Sequence, residues 1–396
     1  MKILFLSHYF PPEVNAPAKR TFEHAKIFAE QGHDITVITN FPNHPSGKIF
    51  DGYKNKWVDI YSKDKIKVIR VYTYLTPNKG FIRRSFNFIV FMVLSIYQGF
   101  KIDKVDAILA TSPQMLCGFA GMILSKIKKI RFILEIRDIW PESISSVNLL
   151  SSKSPIYFFL KLLERRMVKS ADLVVTVTSG IQSYIKKMNH NRVKLITNGV
   201  LVSNYLQIKK KINKPLTFAY IGTIGLAHNI NIVIEAAEYY QNNNNIRFLI
   251  IGDGAEQEKI FNKAKNLINV ETSPLLFGKD LNKQLEKADI GLVTLMNKAL
   301  WKDALPSKIF EFLILEKPVV LSMPYGKTSN MIEKNQCGLA SDPGDFNSFI
   351  NSINKYLLNP EIIHSHGVNG RNLVIKNFNR EILAKELLLS IESLNA

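Results

Sequence analysis

Strand-like and helix-like patterns alternate along this chain, and the alternation starts a second time near its middle. Apolar runs typical of buried strands occur at residues 2–7, 35–39 and 132–136, with helical stretches between several of them. This is the pattern of repeated βαβ units, whose parallel sheet is covered by helices on both faces. The pattern resumes at residues 216–221 and ends in a helix near residues 379–394. The sequence therefore predicts an α/β protein with two doubly wound, Rossmann-like domains.

The length of 396 residues is also typical of two domains. We predict a first domain at residues 1–205, a second at 206–378, and a final helix at 379–396 that packs back toward the first. The basic, polar stretch 209–215 is predicted to link the two domains. Since doubly wound sheets bind ligands at the carboxyl ends of their strands, we expect the two domains to face one another across a cleft that holds the active site.

Composition excludes several other classes of protein. Hydrophobic residues make up 46% of the chain and charged residues 21%, a balance that excludes general disorder. The two cysteines, Cys117 and Cys337, are far apart and lack His-rich or CxxC surroundings, so neither a disulfide scaffold nor a zinc module is expected. The apolar run after Met1 has no small-residue cleavage site and is interpreted as a first buried strand, not a signal peptide.

Most of the formal net charge of +19 lies in the first half of the chain. Residues 1–205 hold 30 lysines and arginines against 14 acidic residues, whereas residues 206–396 hold 22 against 19. A basic half suits an anionic membrane surface, a nucleic acid or a polyphosphate-bearing substrate, and a solvated lysine-rich surface has the same composition. Because the sequence shows no recognisable nucleic-acid-binding module, we expect no nucleic-acid partner.

One apolar segment, residues 86–97, lies between Arg83-Arg84 and Lys101. It is shorter than the roughly 20 residues that a membrane-spanning helix needs. Two interpretations remain open at this point: a buried helix of the first domain, or a helix at a membrane surface or acceptor-lipid groove.

Two polar clusters follow predicted strands of the first half. Residues 7–13 (Ser-His-Tyr-Phe-Pro-Pro-Glu) form a loop between the first strand and a helix, where backbone N–H groups can meet an anionic or hydroxylated ligand. Residues 135–143 combine three acids, an arginine and a tryptophan directly after a buried strand. Charged groups near a core need partners, so this cluster indicates either a functional site or an internal Arg–Asp pair that fixes the loop.

Glycines and a charged helix start mark the second half. Gly222 and Gly225 follow a strand and permit close backbone approach to a diphosphate, and a second glycine turn lies at residues 252–254. Lys308 and Glu311 are three residues apart at the start of a predicted helix and therefore share a face. A tight structural turn and a solvated ion pair are the alternative interpretations.

Together these clusters resemble the retaining family-4 glycosyltransferases of GT-B architecture, and in particular bacterial O-antigen and capsule N-acetyl-L-fucosamine transferases. The resemblance runs from residue 1 to about residue 390. It rests on ordered matches at residues 7–13, 41–48, 138–143, 198–200, 252–255 and 306–311.

The resemblance implies that the second domain binds the nucleotide sugar and the first binds the acceptor. The implied donor-binding residues are Gly222, Thr223, Gly225, Gly252, Asp253, Gly254, Pro306, Ser307, Lys308 and Glu311. The implied catalytic residues are Asp138, Arg137, Lys308 and Glu311, and the implied acceptor-binding residues are Glu13, His8, Asn15, Trp140 and Glu142. No metal is expected, and no cofactor beyond the UDP-sugar substrate.

The sequence departs from the family pattern at two places. Many members carry an arginine and a lysine shortly after the glycine loop of the second domain, where this chain offers His228 and asparagines. The first acid of the family's Glu-x7-Glu pattern, eight positions before Glu311, is the shorter Asp303, which is followed by Ala304.

The implied partners are a nucleotide-sugar donor, a polyprenyl-diphosphate-linked saccharide acceptor and the anionic surface of the inner membrane. The implied location is cytoplasmic, peripheral on the cytoplasmic face of that membrane. A UDP-sugar 2-epimerase of the same fold is an alternative, and a non-catalytic protein that binds anionic surfaces is another.

Overall fold

The computed structural model describes residues 1–76, 81–146, 150–205, 214–276 and 278–394. Contacts divide the chain into two compact units. Unit 1 comprises Met1–Asn198 and the segment from Arg380 onward, and unit 2 comprises Gly199–Asn379. The sequence placed the first division after residue 205. The predicted linker at 209–215 lies mostly outside the described residues.

Unit 1 is built on an eight-stranded sheet with strand order β3-β4-β2-β1-β5-β6-β7-β8. Its strands are β1 (Lys2–Leu6), β2 (Asp34–Asn40), β3 (Val58–Lys63), β4 (Ile66–Val71), β5 (Ala107–Thr111), β6 (Arg131–Ile136), β7 (Leu173–Thr176) and β8 (Val193–Leu195). All neighbours pair in parallel except β3, which is an antiparallel edge strand on β4. The strand order reverses between β1 and β5, the position at which doubly wound sheets bind ligands.

Unit 1 contains seven helices within its described residues. They are α1 (Ala16–Glu30), α2 (Phe81–Phe100), α3 (Met115–Lys128), α4 (Glu142–Ser146), α5 (Pro155–Ser170), α6 (Ser179–Lys186) and α14 (Arg380–Glu392). The last helix of the chain, α14, packs on α1. There Arg380 Nη1 lies 3.3 Å from Glu23 Oε2, with both side chains almost fully buried.

Unit 2 is a six-stranded, fully parallel sheet with strand order β11-β10-β9-β12-β13-β14. Its strands are β9 (Leu216–Thr223), β10 (Ile246–Asp253), β11 (Val270–Ser273), β12 (Ile290–Thr294), β13 (Val319–Ser322) and β14 (Gly338–Ser341). Its helices are α7 (Asn231–Tyr239), α8 (Gln257–Ala264), α9 (Gly278–Lys287), α10 (Lys308–Ile314), α11 (Lys327–Lys334), α12 (Phe346–Leu358) and α13 (Ile362–Asn377). The strand order reverses between β9 and β12.

Each unit therefore has the Rossmann-like architecture that the alternating sequence pattern predicts, and the predicted fold class is confirmed. The central strands are buried on both faces, as the fully buried pattern of β5 and β12 shows. Burying these branched aliphatic side chains stabilises each sheet by about 1.5–3 kcal/mol per side chain.

Helix α2 contains the apolar segment that the sequence left open. One face of α2 is buried in unit 1 through Phe91 and Leu94. The opposite face exposes five large apolar side chains at helical spacing: Phe86, Ile89, Val93, Tyr97 and Phe100. We call these five residues the α2 stripe. Among the described residues, no helix has both the length and the hydropathy for a bilayer crossing.

Candidate active site

Two neighbouring strand ends in unit 2 approach each other through glycine. Gly222 on β9 and Gly252 on β10 are register partners. A Cβ atom on Gly252 would lie 2.0 Å from the carbonyl oxygen of Gly222, and one on Gly254 would lie 2.5 Å from that of Ile224. Displacing these backbone oxygens would distort the sheet, so close packing by itself requires glycine at both positions.

The loop after β9 is fixed by main-chain hydrogen bonds. Ile224 N donates to Asp253 O at 2.8 Å, and Glu256 N donates to Ile224 O at 3.0 Å. Gly222 has a φ of 126°, which other residues rarely adopt. The structure thus brings the predicted donor residues 222, 223, 225 and 252–254 to one edge of the sheet, at the reversal of strand order.

Lys308 reaches this edge from the first turn of α10. Its Nζ lies 3.8 Å from the ring centroid of Tyr220 and 3.3 Å from the point where a Cβ on Gly222 would be. The Nζ atom is buried, and no hydrogen-bond acceptor lies within reach among the described residues. Burial lowers the pKa of Lys308 to about 7, against the opposing effect of Glu311. A buried amine without an acceptor is a ready partner for an anion.

The other predicted residues of this region flank Lys308. Pro306 and Ser307 precede α10, and the Ser307 side chain makes no capping hydrogen bond. Glu311 lies three residues further along the helix, in its first turn. The structure therefore brings Lys308 of the predicted set to the Gly222 loop, while Pro306, Ser307 and Glu311 lie next to Lys308 along the chain.

In unit 1, Arg137 and Asp138 follow β6 at the carboxyl edge of the sheet. The Arg137 backbone N–H donates to Ser112 Oγ at 2.9 Å, which joins the ends of β5 and β6. Arg137 Nη1 is buried without a hydrogen-bond partner among the described residues. Burial lowers the pKa of Arg137 to about 10, while Glu135 opposes that change. The guanidinium remains a cation, and its Nη1 can donate to a ligand.

Asp138 is exposed and, with Trp140, lines a cavity of about 20 Å³. Glu164 of α5 lines the same cavity. A volume of this size admits one water-sized group. The Asp138 carboxylate can therefore contact a polar group of about the size of a water molecule in this cavity.

Glu142 belongs to a network that the sequence did not show. The Lys161 ammonium contacts Glu142 Oε1, and Glu164 Oε2 at 3.1 Å. The hydroxyl of Tyr184, on α6, donates to Glu164 Oε2 at 2.7 Å. Burial raises the pKa of Glu164 to about 7, although Lys161 opposes it. Lys161 on α5 and the Tyr184 hydroxyl on α6, which donates to Glu142 Oε1 at 3.3 Å, are therefore partners of Glu142, and no local motif connects either of them to residue 142.

The loop residues after β1 have packing partners. Glu13 Oε1 accepts hydrogen bonds from the backbone N–H of His44 at 3.0 Å and of Asn43 at 3.1 Å. Asn15 caps α1 by accepting from Ala18 N at 2.9 Å. Glu13 and Asn15 thus stabilise two local structures. Their predicted contacts with the acceptor substrate stay a prediction.

His8 lies in a separate small cavity of about 20 Å³, next to Arg84 and Asn87. Burial lowers the pKa of His8 to about 3, so its imidazole is neutral. The structure does not bring His8 and Asp138 to the same cavity.

Sequence comparison assigns the two parts of the chain to two family models. Residues 18–203 match the model described as glycosyltransferase family 4, and residues 203–373 match the model described as glycosyl transferases group 1. WcaI of Escherichia coli (strain K12), to which a role as a colanic acid biosynthesis glycosyl transferase is assigned, is 22% identical over 99% of this chain and 100% of its own length.

Solved structures share the fold over nearly the whole chain. The sucrose-phosphate synthase of Thermosynechococcus elongatus has a TM-score of 0.77 at 16% identity, covering 99% of this chain and 98% of that protein. HepE of Anabaena in complex with UDP has a TM-score of 0.69 at 15% identity, covering 99% of this chain and 100% of that protein.

Proposed function

We propose that this chain transfers a sugar from a UDP-sugar to a lipid-linked saccharide. The chain belongs to the GT-B glycosyltransferases and joins a family 4 part to a group 1 part. The proposed transfer retains the anomeric configuration and serves the synthesis of a surface polysaccharide such as an O-antigen or a capsule. WcaI, the E. coli relative, is linked by its description to such a polysaccharide, colanic acid.

The observation that carries this proposal is the buried Nζ of Lys308 beside the Gly222 loop. Departure of UDP leaves negative charge on the diphosphate, and a preorganised cation stabilises that charge where water is excluded. We assign this role to Lys308 and the contact with the ribose hydroxyls to Glu311, with no metal required. The UDP bound by HepE, a protein of the same fold, supports the choice of nucleotide.

The proposed chemistry needs no strong protein base. The bond between the anomeric carbon and the UDP oxygen breaks, and the acceptor hydroxyl oxygen forms the new bond on the same face of the sugar. The acceptor proton passes to the departing phosphate oxygen. Asp138 orients the acceptor, and the cation of Arg137 holds anionic groups nearby. For the donor sugar we propose an N-acetylated hexosamine or deoxyhexosamine, such as N-acetyl-L-fucosamine.

For the acceptor we propose a saccharide on a polyprenyl diphosphate, reached by peripheral attachment to the anionic cytoplasmic face of the inner membrane. The α2 stripe supports this attachment, because its side chains are 44–59% exposed and the exposed cations Arg83 and Lys101 flank it. Helix α5, which packs on α3 as α2 does, adds exposed Phe158 and Phe159. Apolar side chains and cations together favour an anionic bilayer surface.

The test has two steps. Calorimetry with UDP, GDP and dTDP should show UDP as the tightest ligand. Incubation of UDP-sugars with polyprenyl-diphosphate-linked saccharides should then give transfer only when both substrates are present. Conversion of the UDP-sugar without any acceptor would instead favour the 2-epimerase alternative, and a protein that binds no nucleotide would contradict the proposal.

A further inference from the structure

Two buried nitrogen atoms flank the loop that begins at Gly222. Lys308 Nζ lies on the Gly222 side, and His228 Nδ1 lies 3.5 Å from the point where a Cβ on Gly225 would be. Neither atom has a hydrogen-bond partner among the described residues. Leaving a buried polar group unpaired costs about 1–3 kcal/mol. Two such atoms beside one loop indicate a shared ligand.

The imidazole of His228 is held in place by its own backbone. His228 N donates to Gly225 O at 2.9 Å, and the His228 carbonyl accepts from the hydroxyl of Thr294, at the end of β12. The neighbouring Ala227 carbonyl accepts from Met296 N at 2.9 Å. Because its backbone N–H and carbonyl are both engaged, only the ring of His228 is available to a ligand.

The electrostatic surroundings disfavour charge on the ring while the loop is empty. Burial, together with the nearby Lys308, lowers the pKa of His228 to about 3. The other titratable groups around the pair are Tyr220 on β9, at the ring contact with Lys308, and Glu311 on α10. An anion in the loop would reverse this balance, since it favours the protonated form of both nitrogens.

We propose that His228 is a second phosphate-binding residue of the donor site and that a diphosphate entering the loop takes up protons from solvent onto Lys308 and His228. This inference rests on the proposed function. In this inference, His228 and Lys308 together compensate the negative charge of the leaving group. No covalent bond changes in this step, and the protons are released again when UDP leaves.

The experiment measures UDP binding by calorimetry in wild type, His228→Ala, His228→Gln and the control His364→Ala. His364 is an exposed histidine on α13. We expect His228→Ala to weaken UDP binding by about tenfold or more and to leave the binding of uridine, which has no phosphate, unchanged. His228→Gln keeps a hydrogen-bond donor without a titratable ring, so it should recover part of the affinity.

Proton uptake is measured by repeating each titration in two buffers of different ionisation enthalpy. Wild type and His364→Ala should take up protons with UDP, and both His228 variants should take up fewer. Unchanged UDP affinity in a folded His228→Ala variant, or equal losses for UDP and uridine, would overturn the inference. If Lys308→Ala still loses UDP in that case, the proposed function stands without His228. A wild-type protein that binds no UDP would instead remove the proposed function itself.

Discussion

Arg20 and Glu135 form a buried ion pair, with Arg20 Nε 2.8 Å from Glu135 Oε1 and both side chains at most 3% exposed. The remaining N–H groups of Arg20 donate to the carbonyls of Thr197 and Ile196, beyond β8. Burial alone would raise the pKa of Glu135, but Arg20 and Arg137 hold it below its usual value. One charged pair therefore connects α1, β6 and the segment after β8.

Replacing Arg20 by Met should destabilise unit 1 strongly, because Glu135 would keep a buried charge with too few partners. Loss of one partner of a buried pair costs about 3–5 kcal/mol in the free energy of unfolding. Urea unfolding followed by circular dichroism measures this loss. The control is Lys26→Met, on an exposed part of the same helix; equal stability of the two variants would contradict the prediction.

Lys308→Ala should reduce transfer by about 10²–10³-fold, since the leaving diphosphate loses its cation. The fold should persist, because the amine has no hydrogen bond to lose. Steady-state kinetics with the donor found in the nucleotide screen measures the effect, with Lys302→Ala as the control at an exposed lysine ahead of α10. Wild-type turnover of folded Lys308→Ala would refute the donor-site assignment.

Glu311→Ala should weaken UDP binding by about ten- to hundredfold, since a hydrogen bond to a charged group contributes about 1.5–3 kcal/mol. The same variant should bind 2′,3′-dideoxy-UDP as wild type does, because that ligand has no ribose hydroxyls to donate. Competition binding with both nucleotides tests this difference. Equal losses for the two nucleotides would place the Glu311 contact elsewhere.

UDP affinity should fall as the pH rises above 7. Burial lowers the pKa of Lys308 to about 7, so the amine of the empty site loses its charge in this range, whereas bound diphosphate retains the proton. The loss that Lys308 causes reaches at most about tenfold per pH unit, and the charge of UDP is constant there because its phosphate titrates near pH 6. Calorimetry from about pH 7 to about pH 9 measures it.

Lys308→Arg supplies the comparison for the pH experiment, since a guanidinium stays protonated over this range. Any pH dependence of UDP binding that remains in Lys308→Arg belongs to other groups, His228 among them. A wild-type affinity that does not change with pH would mean that Lys308 is charged in the empty site.

The α2 stripe should govern binding to anionic vesicles. Phe86→Ser combined with Val93→Ser should lower the vesicle partition constant at low salt by about a hundredfold or more, because each buried side chain contributes about 1.5–3 kcal/mol. Ile268→Ser with Leu358→Ser, at two strongly exposed positions of unit 2, is the matched control. Equal sedimentation of the two double variants would rule out the stripe as the membrane contact, and UDP binding should be unchanged in both.

The central strands could be predicted from sequence because burial on both faces demands near-continuous apolar runs. Strands β3, β11 and β14 were not predicted. They lie at sheet edges, and they alternate apolar with polar residues, carry mostly polar ones or consist largely of small ones, so their apolar signal is weak. The antiparallel pairing of β3 with β4 arises from a short hairpin and does not follow from a βαβ pattern.

The candidate site was predictable where its residues are close in sequence. The glycine turns and the Lys308 helix start are local motifs, and the shared edge of β9 and β10 follows from parallel pairing. The contact of Glu142 with Lys161 could not be predicted, because it depends on how α5 packs beside the loop. Likewise, no motif shows that Glu13 Oε1 accepts hydrogen bonds from the N–H groups of residues 43 and 44.

Unit 2 begins and ends at one place. Val200 N donates to Phe378 O at 3.1 Å, and Val200 forms a bridge with Asn379. Because the two ends of unit 2 are adjacent, the gene segment that encodes unit 2 can be exchanged for the corresponding segment of a relative. If unit 2 binds the donor as proposed, exchange at these two junctions transfers donor specificity between related chains, whereas a cut only at the second junction separates α14 from the rest of unit 1.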